Sequence, residues 1–260
     1  MKMIMKRKNT HSAAAFTRLE LVVVLVILAV LAVFASTYML RGHSEAVAKS
    51  KRIACLNNLV NIGVSYRVWA NDHNDKYPAE VSIKGGGWQD FLTNQNQGAW
   101  CWTNFVIMKE MLGNDPKILI CPADDRMPAS SIAGLKSNTN VSYFVGVGAS
   151  DAHPQSILGG DRNLCRGLMP PNDYGFSPAS GMGNDVAVQP NENADPISWS
   201  AKMHSNGRAV SRGNIILGDA SGQQVSSARF RSDYQRFALD NGNWPSNHVP
   251  TAPSFRLIFP

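Results

Sequence analysis

The run from Leu21 to Leu40 constrains this chain more than any other stretch: twenty residues without a charge or a proline. At about 1.5 Å per residue such a helix reaches roughly 30 Å, the thickness of the hydrocarbon layer of a bilayer. The run therefore predicts a membrane span. One carboxylate, Glu20, stands at its mouth. An ionisable group at that depth is costly and points to a function. Residues 1–15 form a basic leader that carries Lys2, Lys6, Arg7 and Lys8 and no acid. A secretory signal places its small-residue cleavage site after the apolar run. Here Ala13, Ala14 and Ala15 precede it, so cleavage there leaves the span on the mature chain as an anchor. The leader cations put the N-terminus in the cytoplasm and everything from Arg41 onward across the membrane.

Helical periodicity continues beyond the span. Ile53, Leu56, Val60, Val64 and Val68 recur at steps of three or four, as do Leu59, Ile62, Tyr66 and Trp69. Together they predict one broad apolar face on a single long helix, membrane-spanning over 16–41 and soluble and amphipathic over 42–75. The helix should stop in the turn-forming cluster Asn71 to Pro78. Residues 76–260 are rich in Gly, Pro, Asn and Ser, and are long enough for a core of their own. Lys117–Cys121 and Val141–Val147 read as strands. Asn214–Leu217 and Gln223–Val225 flank a turn and read as a hairpin, Phe255–Phe259 as a final edge strand, and Trp102–Met111 as a helix. The stretch 167–196 reads as an extended loop. The expected class is α+β: a long N-terminal helix packed on a small antiparallel sheet with long loops.

The order Ala15-Phe16-Thr17-Arg18-Leu19-Glu20 followed by the apolar run resembles the processing site of type IV prepilins and type II secretion pseudopilins. Ala15 stands where that family usually has Gly, and Arg18 where it has an apolar residue. The resemblance implies a prepilin peptidase/methyltransferase that cuts between Ala15 and Phe16 and methylates the Phe16 amine. It also implies assembly through the helix, with Glu20 meeting the amine of a neighbouring subunit. Cys55-Leu56-Asn57-Asn58-Leu59, Ile62-Gly63, Trp69-Ala70-Asn71-Asp72 and Tyr77-Pro78 are similar to the large pseudopilin-like proteins of Verrucomicrobia and related bacteria. The implied partners are the peptidase, other copies of the chain, other pseudopilins, the secretion assembly platform and the inner membrane, with residues 76–260 in the periplasm. The implied role is structural and non-enzymatic. The alternative is a membrane-tethered module that binds a glycan or calcium and never polymerises.

Chemical signals in the soluble part are sparse. His204 and Asp219 resemble a His and a turn Asp of the same family, and predict either a hydrogen bond that holds the hairpin or, for a tethered hydrolase, a catalytic pair. No serine or cysteine lies in a nucleophile motif. Asp72, Asn74 and Asp75 do not form an EF-hand, because Ile83 occupies the position that needs a Glu. Some major pseudopilins hold calcium in a C-terminal loop, so Asp219 is carried as a calcium candidate; otherwise no cofactor or metal is expected. Asp124 and Asp125 read as a solvated polar loop. Cys55, Cys101, Cys121 and Cys165 all follow the span, on the oxidising side. They allow two disulfides in three connectivities, or free buried thiols. Net charge is +6, of which the four leader cations supply most. Nucleic-acid binding is therefore not expected.

Overall fold

The computed structural model describes residues 17–93, 100–168, 172–178, 180–181, 185–188, 196–204, 211–235 and 255–260. The chain forms two compact units, Met1–Val47 and Ala48–Pro260. Helix α1 (Arg18–Asn71) begins in the first and ends in the second.

In the first unit, α1 opens on a capping box. The Glu20 carboxylate accepts from Thr17 N at 2.8 Å and from the Thr17 hydroxyl at 3.0 Å, and Thr17 Oγ1 accepts in turn from Glu20 N at 3.3 Å. Thr-x-x-Glu is the sequence form of this reciprocal cap. From Arg18 to Ser36 the helix is long and apolar enough to cross a membrane, and none of that stretch is buried within the chain; among the described residues it is the one such helix.

In the second unit, the same helix buries a narrow stripe. Cys55, Leu59, Ile62, Tyr66 and Trp69 are almost wholly enclosed, at alternating steps of four and three. The broad face expected from the sequence is narrower in fact, since Ile53, Val64 and Val68 are exposed. The helix ends at Asn71, where Asn74 and Asp75 take left-handed backbone angles (φ 57° for both). Asn and Asp tolerate that conformation better than other residues with a side chain. Pro78 then opens a short 3-10 turn. Helices α2 (Gln89–Thr93) and α3 (Cys101–Ile107) follow.

The sheet strands are β1 (Tyr143–Gly146), β2 (Ile157–Asp161), β4 (Asp185–Val188), β6 (Arg212–Leu217), β7 (Gly222–Ser226) and β8 (Phe255–Ile258). They pair antiparallel in the order β4-β8-β1-β2-β6-β7. Strands β3 (Leu164–Arg166) and β5 (Ile197–Trp199) form a separate two-stranded ribbon. The architecture is the α+β class expected.

Strand alternation divides the core in two. Tyr143, Val145, Leu158, Ile216 and Ile258 face the stripe of α1. Phe144, Ile157, Ile215, Leu217, Leu257 and Phe259 face the other way, against Leu164 and Trp199 of the ribbon and Phe230. The sheet is thus buried on both faces. Helix and sheet approach closely where β7 begins: a Cβ at Gly222 would lie 2.6 Å from Val60 Cγ2 and 2.8 Å from Leu56 Cδ1.

Four expectations are corrected. Lys117–Cys121 is not a strand but mostly a 3-10 turn, Pro116–Leu119, because Asp115 caps it by accepting from Lys117 N at 3.0 Å. Strand β8 is not at an edge but lies between β4 and β1. The stretch 167–196 is not all loop, since it contains β4. Strands β2, β3 and β5 lie where no strand was expected, because Gly159 and Gly160 dilute the apolar signal of β2 and the ribbon strands are only three residues long.

Candidate metal centre

Four side chains from four separate segments converge beneath α1. Cys55 lies on the buried stripe of the helix. Cys121 follows the Pro116–Leu119 turn and is fixed by Pro122. Asp161 ends β2, opposite Tyr143 of β1. His204 follows β5 through a turn in which Met203 has a φ of 62°. The nearest ligand atoms of all four lie within 4.8 Å of one another, and all four residues are buried.

The contacts are tight. Cys55 Sγ donates to Asp161 Oδ1 at 2.9 Å. His204 Nε2 lies 3.2 Å from Asp161 Oδ2 and 3.4 Å from Cys121 Sγ. The side chains of His204 and Asp161 are 1% and 0% exposed. Burial opposes a charge on His204, but the Asp161 carboxylate and its hydrogen bond, aided by Cys121, push its pKa up to about 10. Burial likewise opposes ionisation of Cys121, yet hydrogen bonds from Cys55 and His204 hold its pKa below the usual thiol value. Burial, then the hydrogen bond with Cys121 and the charge of Asp161, push the Cys55 thiol well up. The Cys55 thiol thus donates to Asp161, and the imidazole of His204 lies between that carboxylate and the Cys121 sulfur.

A second ring of groups positions the first. Tyr143 Oη donates to Cys55 Sγ at 3.5 Å, and Ala123 N donates to Cys121 Sγ at 3.4 Å. Asn214 of β6 donates its backbone N–H to Asp161 Oδ2 at 2.6 Å, and its side-chain amide lies 3.3 Å from His204 Nε2. Beside the cluster, Arg162 forks onto Asp124 (Nε to Oδ2 2.7 Å, Nη2 to Oδ1 2.8 Å) and reaches Asp125 Oδ1 at 2.8 Å. The Arg162 guanidinium also stacks 3.4 Å over the Tyr174 ring. Burial raises the Asp124 carboxyl, but its hydrogen bond and charge contact with Arg162 bring its pKa down to about 2. Arg162, next to Asp161 at the end of β2, thus binds Asp124, three residues along the chain from Cys121.

This arrangement revises the expected sites. His204 faces Asp161, not Asp219. Asp219 lies in the turn beyond β6, whose end at Leu217 is already roughly 10 Å of strand away from Asn214. Its Oδ1 accepts from Ser221 N at 2.8 Å within its own turn. The His204–Asp219 pair, structural or catalytic, is therefore replaced by His204–Asp161. Among the described residues Asp219 belongs to no group of three or more metal-ligating side chains. All four cysteines are free and buried. Cys101 donates to Tyr143 O at 3.2 Å and Cys165 to Ser198 O at 3.1 Å, so neither faces another thiol. Asp124 is not solvated but fully enclosed. Glu20 heads α1 as expected, with both recorded contacts on Oε2. Ala15 and Phe16 lie outside the described residues.

Sequence reading missed the joint role of Cys55, Cys121 and Asp161. The ligand residues stand forty or more positions apart, so no local spacing marks them. The available signal was the surplus of thiols without a Cys-x-x-Cys. Comparison with family models, curated proteins and solved structures gives no match.

Proposed function

We propose that this chain is a structural subunit of a type II secretion or type IV pilus-like filament, a pseudopilin or pilin. It is anchored in the inner membrane by α1, with the N-terminus cytoplasmic and the soluble unit periplasmic. The observation that carries this reading is the uncovered apolar stretch Arg18–Ser36 headed by the lone carboxylate Glu20. A helix that is apolar all round needs lipid or other helices around it. Bundled copies of the same helix supply that cover once a subunit leaves the bilayer. The Glu20 contacts with Thr17 fall on one carboxylate oxygen, which leaves Oε1 to take a neighbour's Phe16 amine. The peptidase, the assembly platform and sister subunits are the partners this reading requires. It assigns no catalytic step to the chain.

The test is mass spectrometry of the N-terminus from host membranes, paired with filament recovery from Glu20→Ala. A methylated Phe16 terminus and loss of filaments in the variant support assembly. A chain that keeps its leader, with the variant indistinguishable, favours the tethered binding module.

A further inference from the structure

We propose that the soluble unit holds one structural divalent transition ion of the zinc class, ligated by Cys55 Sγ, Cys121 Sγ, one oxygen of Asp161 and Nε2 of His204. The inference is independent of whether the chain assembles into filaments.

The spacing argues first. Zinc bound tetrahedrally at about 2.3 Å from sulfur and about 2.0–2.1 Å from nitrogen or oxygen separates its ligand atoms by roughly 3.3–3.8 Å. The His204 nitrogen stands 3.2 Å from Asp161 Oδ2 and 3.4 Å from the Cys121 sulfur, the Cys55 sulfur stands 2.9 Å from Asp161 Oδ1, and ligand atoms of all four residues lie within 4.8 Å of one another. Side-chain adjustments of about 1 Å therefore bring the four to tetrahedral spacing around one ion.

Valence argues second. Imidazole Nε2 carries either one proton or one lone pair in one direction, yet a carboxylate oxygen, a sulfur and an amide nitrogen crowd it within 3.4 Å. A single N–H serves one of these acceptors, and the Asn214 amide N–H cannot donate to a nitrogen that is itself protonated. A cation at the centre instead takes the lone pairs of Nε2, both sulfurs and Asp161 together. Two thiolates and a carboxylate then place three negative charges around two positive ones, and the protons these side chains carry, that of the Cys55 thiol among them, pass to water.

The donor set argues third. Two sulfurs exclude calcium and magnesium, which take oxygen ligands. Four protein ligands in a buried site leave no open position for substrate, which is the pattern of a structural and not a catalytic centre. N–H and O–H groups already aim at both sulfurs from Ala123 and Tyr143, the outer-shell support that metal thiolates use. Bound there, the ion ties α1, the Cys121 loop, the end of β2 and the segment after β5 at one point.

The experiment is elemental analysis of the full-length chain, purified in detergent from cells grown with zinc, followed by exchange into cobalt(II). The expected result is about one zinc per chain. The cobalt form should show the strong visible bands of a tetrahedral site together with thiolate-to-cobalt charge transfer in the near ultraviolet. Cys121→Ser should lose the charge-transfer intensity and most of the zinc, whereas Cys121→His should retain zinc with a changed spectrum. Tyr143→Phe, which keeps every ligand but removes the O–H aimed at Cys55 Sγ, should weaken zinc affinity by about 10- to 100-fold, as loss of outer-shell support does. Metal-free native chain that stays equally folded on zinc addition overturns the proposal. So does a chain whose mass is two hydrogens short because Cys55 and Cys121 form a disulfide. Because the native chain is read directly, a variant that fails to fold does not rescue the idea.

Discussion

Two stretches of α1 treat apolar side chains in opposite ways. From Leu21 to Phe34 the apolar residues stand uncovered around the helix, and Val24, the least exposed of the large ones, keeps 45% of its surface open. From Cys55 to Ala70 only one stripe is apolar and enclosed, with Leu59 at 0%. The difference lies in arrangement as well as in the amount of apolar surface, since Asn57, Asn58, Asn61, Ser65 and Arg67 interrupt the second stretch. An all-round apolar helix has no face to offer water and must find its cover outside the chain. A striped helix finds it in a sheet of its own chain.

The sharpest way to break the comparison is at the polar clusters that only the second stretch has near it. Arg162→Met strands Asp124 in the core, and should cost about 3–5 kcal/mol of unfolding free energy, read by denaturant titration in detergent. Next, Leu59→Ala should cost about 2–5 kcal/mol by the same measurement, because it opens a cavity against the sheet. Leu28→Ala removes the same atoms from the uncovered stretch, and should leave the midpoint of the soluble unit unchanged. A matching loss at both positions would show that the two stretches are not different in kind.

Acid gives a smaller effect. The folded Asp124 pKa is about 2, against an ordinary 3.8. A depressed carboxylate adds stability that is present above its unfolded pKa and lost as pH falls through the folded one. The gap corresponds to about 2 kcal/mol. The stability advantage of wild type over Asp124→Asn should therefore shrink between about pH 4 and pH 2. An advantage that holds flat across this window would mean that the pair with Arg162 is not formed. Smallest of all, Val64→Lys on the exposed back of the second stretch should shift stability by less than about 0.5 kcal/mol.

What the sequence revealed follows from the range of the forces involved. The long apolar start of α1, its end near Asn71, strand β1 and the β6–β7 hairpin are written in runs of neighbouring residues, and all were legible. Asp115 was not read as a cap, so the Ile- and Leu-rich look of Lys117–Cys121 outweighed a single local hydrogen bond. The interior place of β8 depends on two partners far off in sequence, β4 and, more than a hundred residues away, β1. The centre was partly visible, since His204 stood out through its resemblance to a His of the pseudopilin-like proteins. Its partner was misassigned because Asp219 is near in sequence and Asp161 is near only in space. Asp124 looked solvated because Arg162, which buries it, arrives from another strand.

The position of β8 has a consequence for timing. Its residues pair with Val145 and Gly146 on one side and with Asp185–Val188 on the other. Synthesis at roughly 5–20 residues per second leaves β1 waiting on the order of ten seconds for that neighbour. Until then β1 presents an unpaired edge, a template for joining another chain. Release of β8 is therefore the event that closes the sheet between β1 and β4. A stall shortly before it would leave a nearly whole domain in its stickiest form.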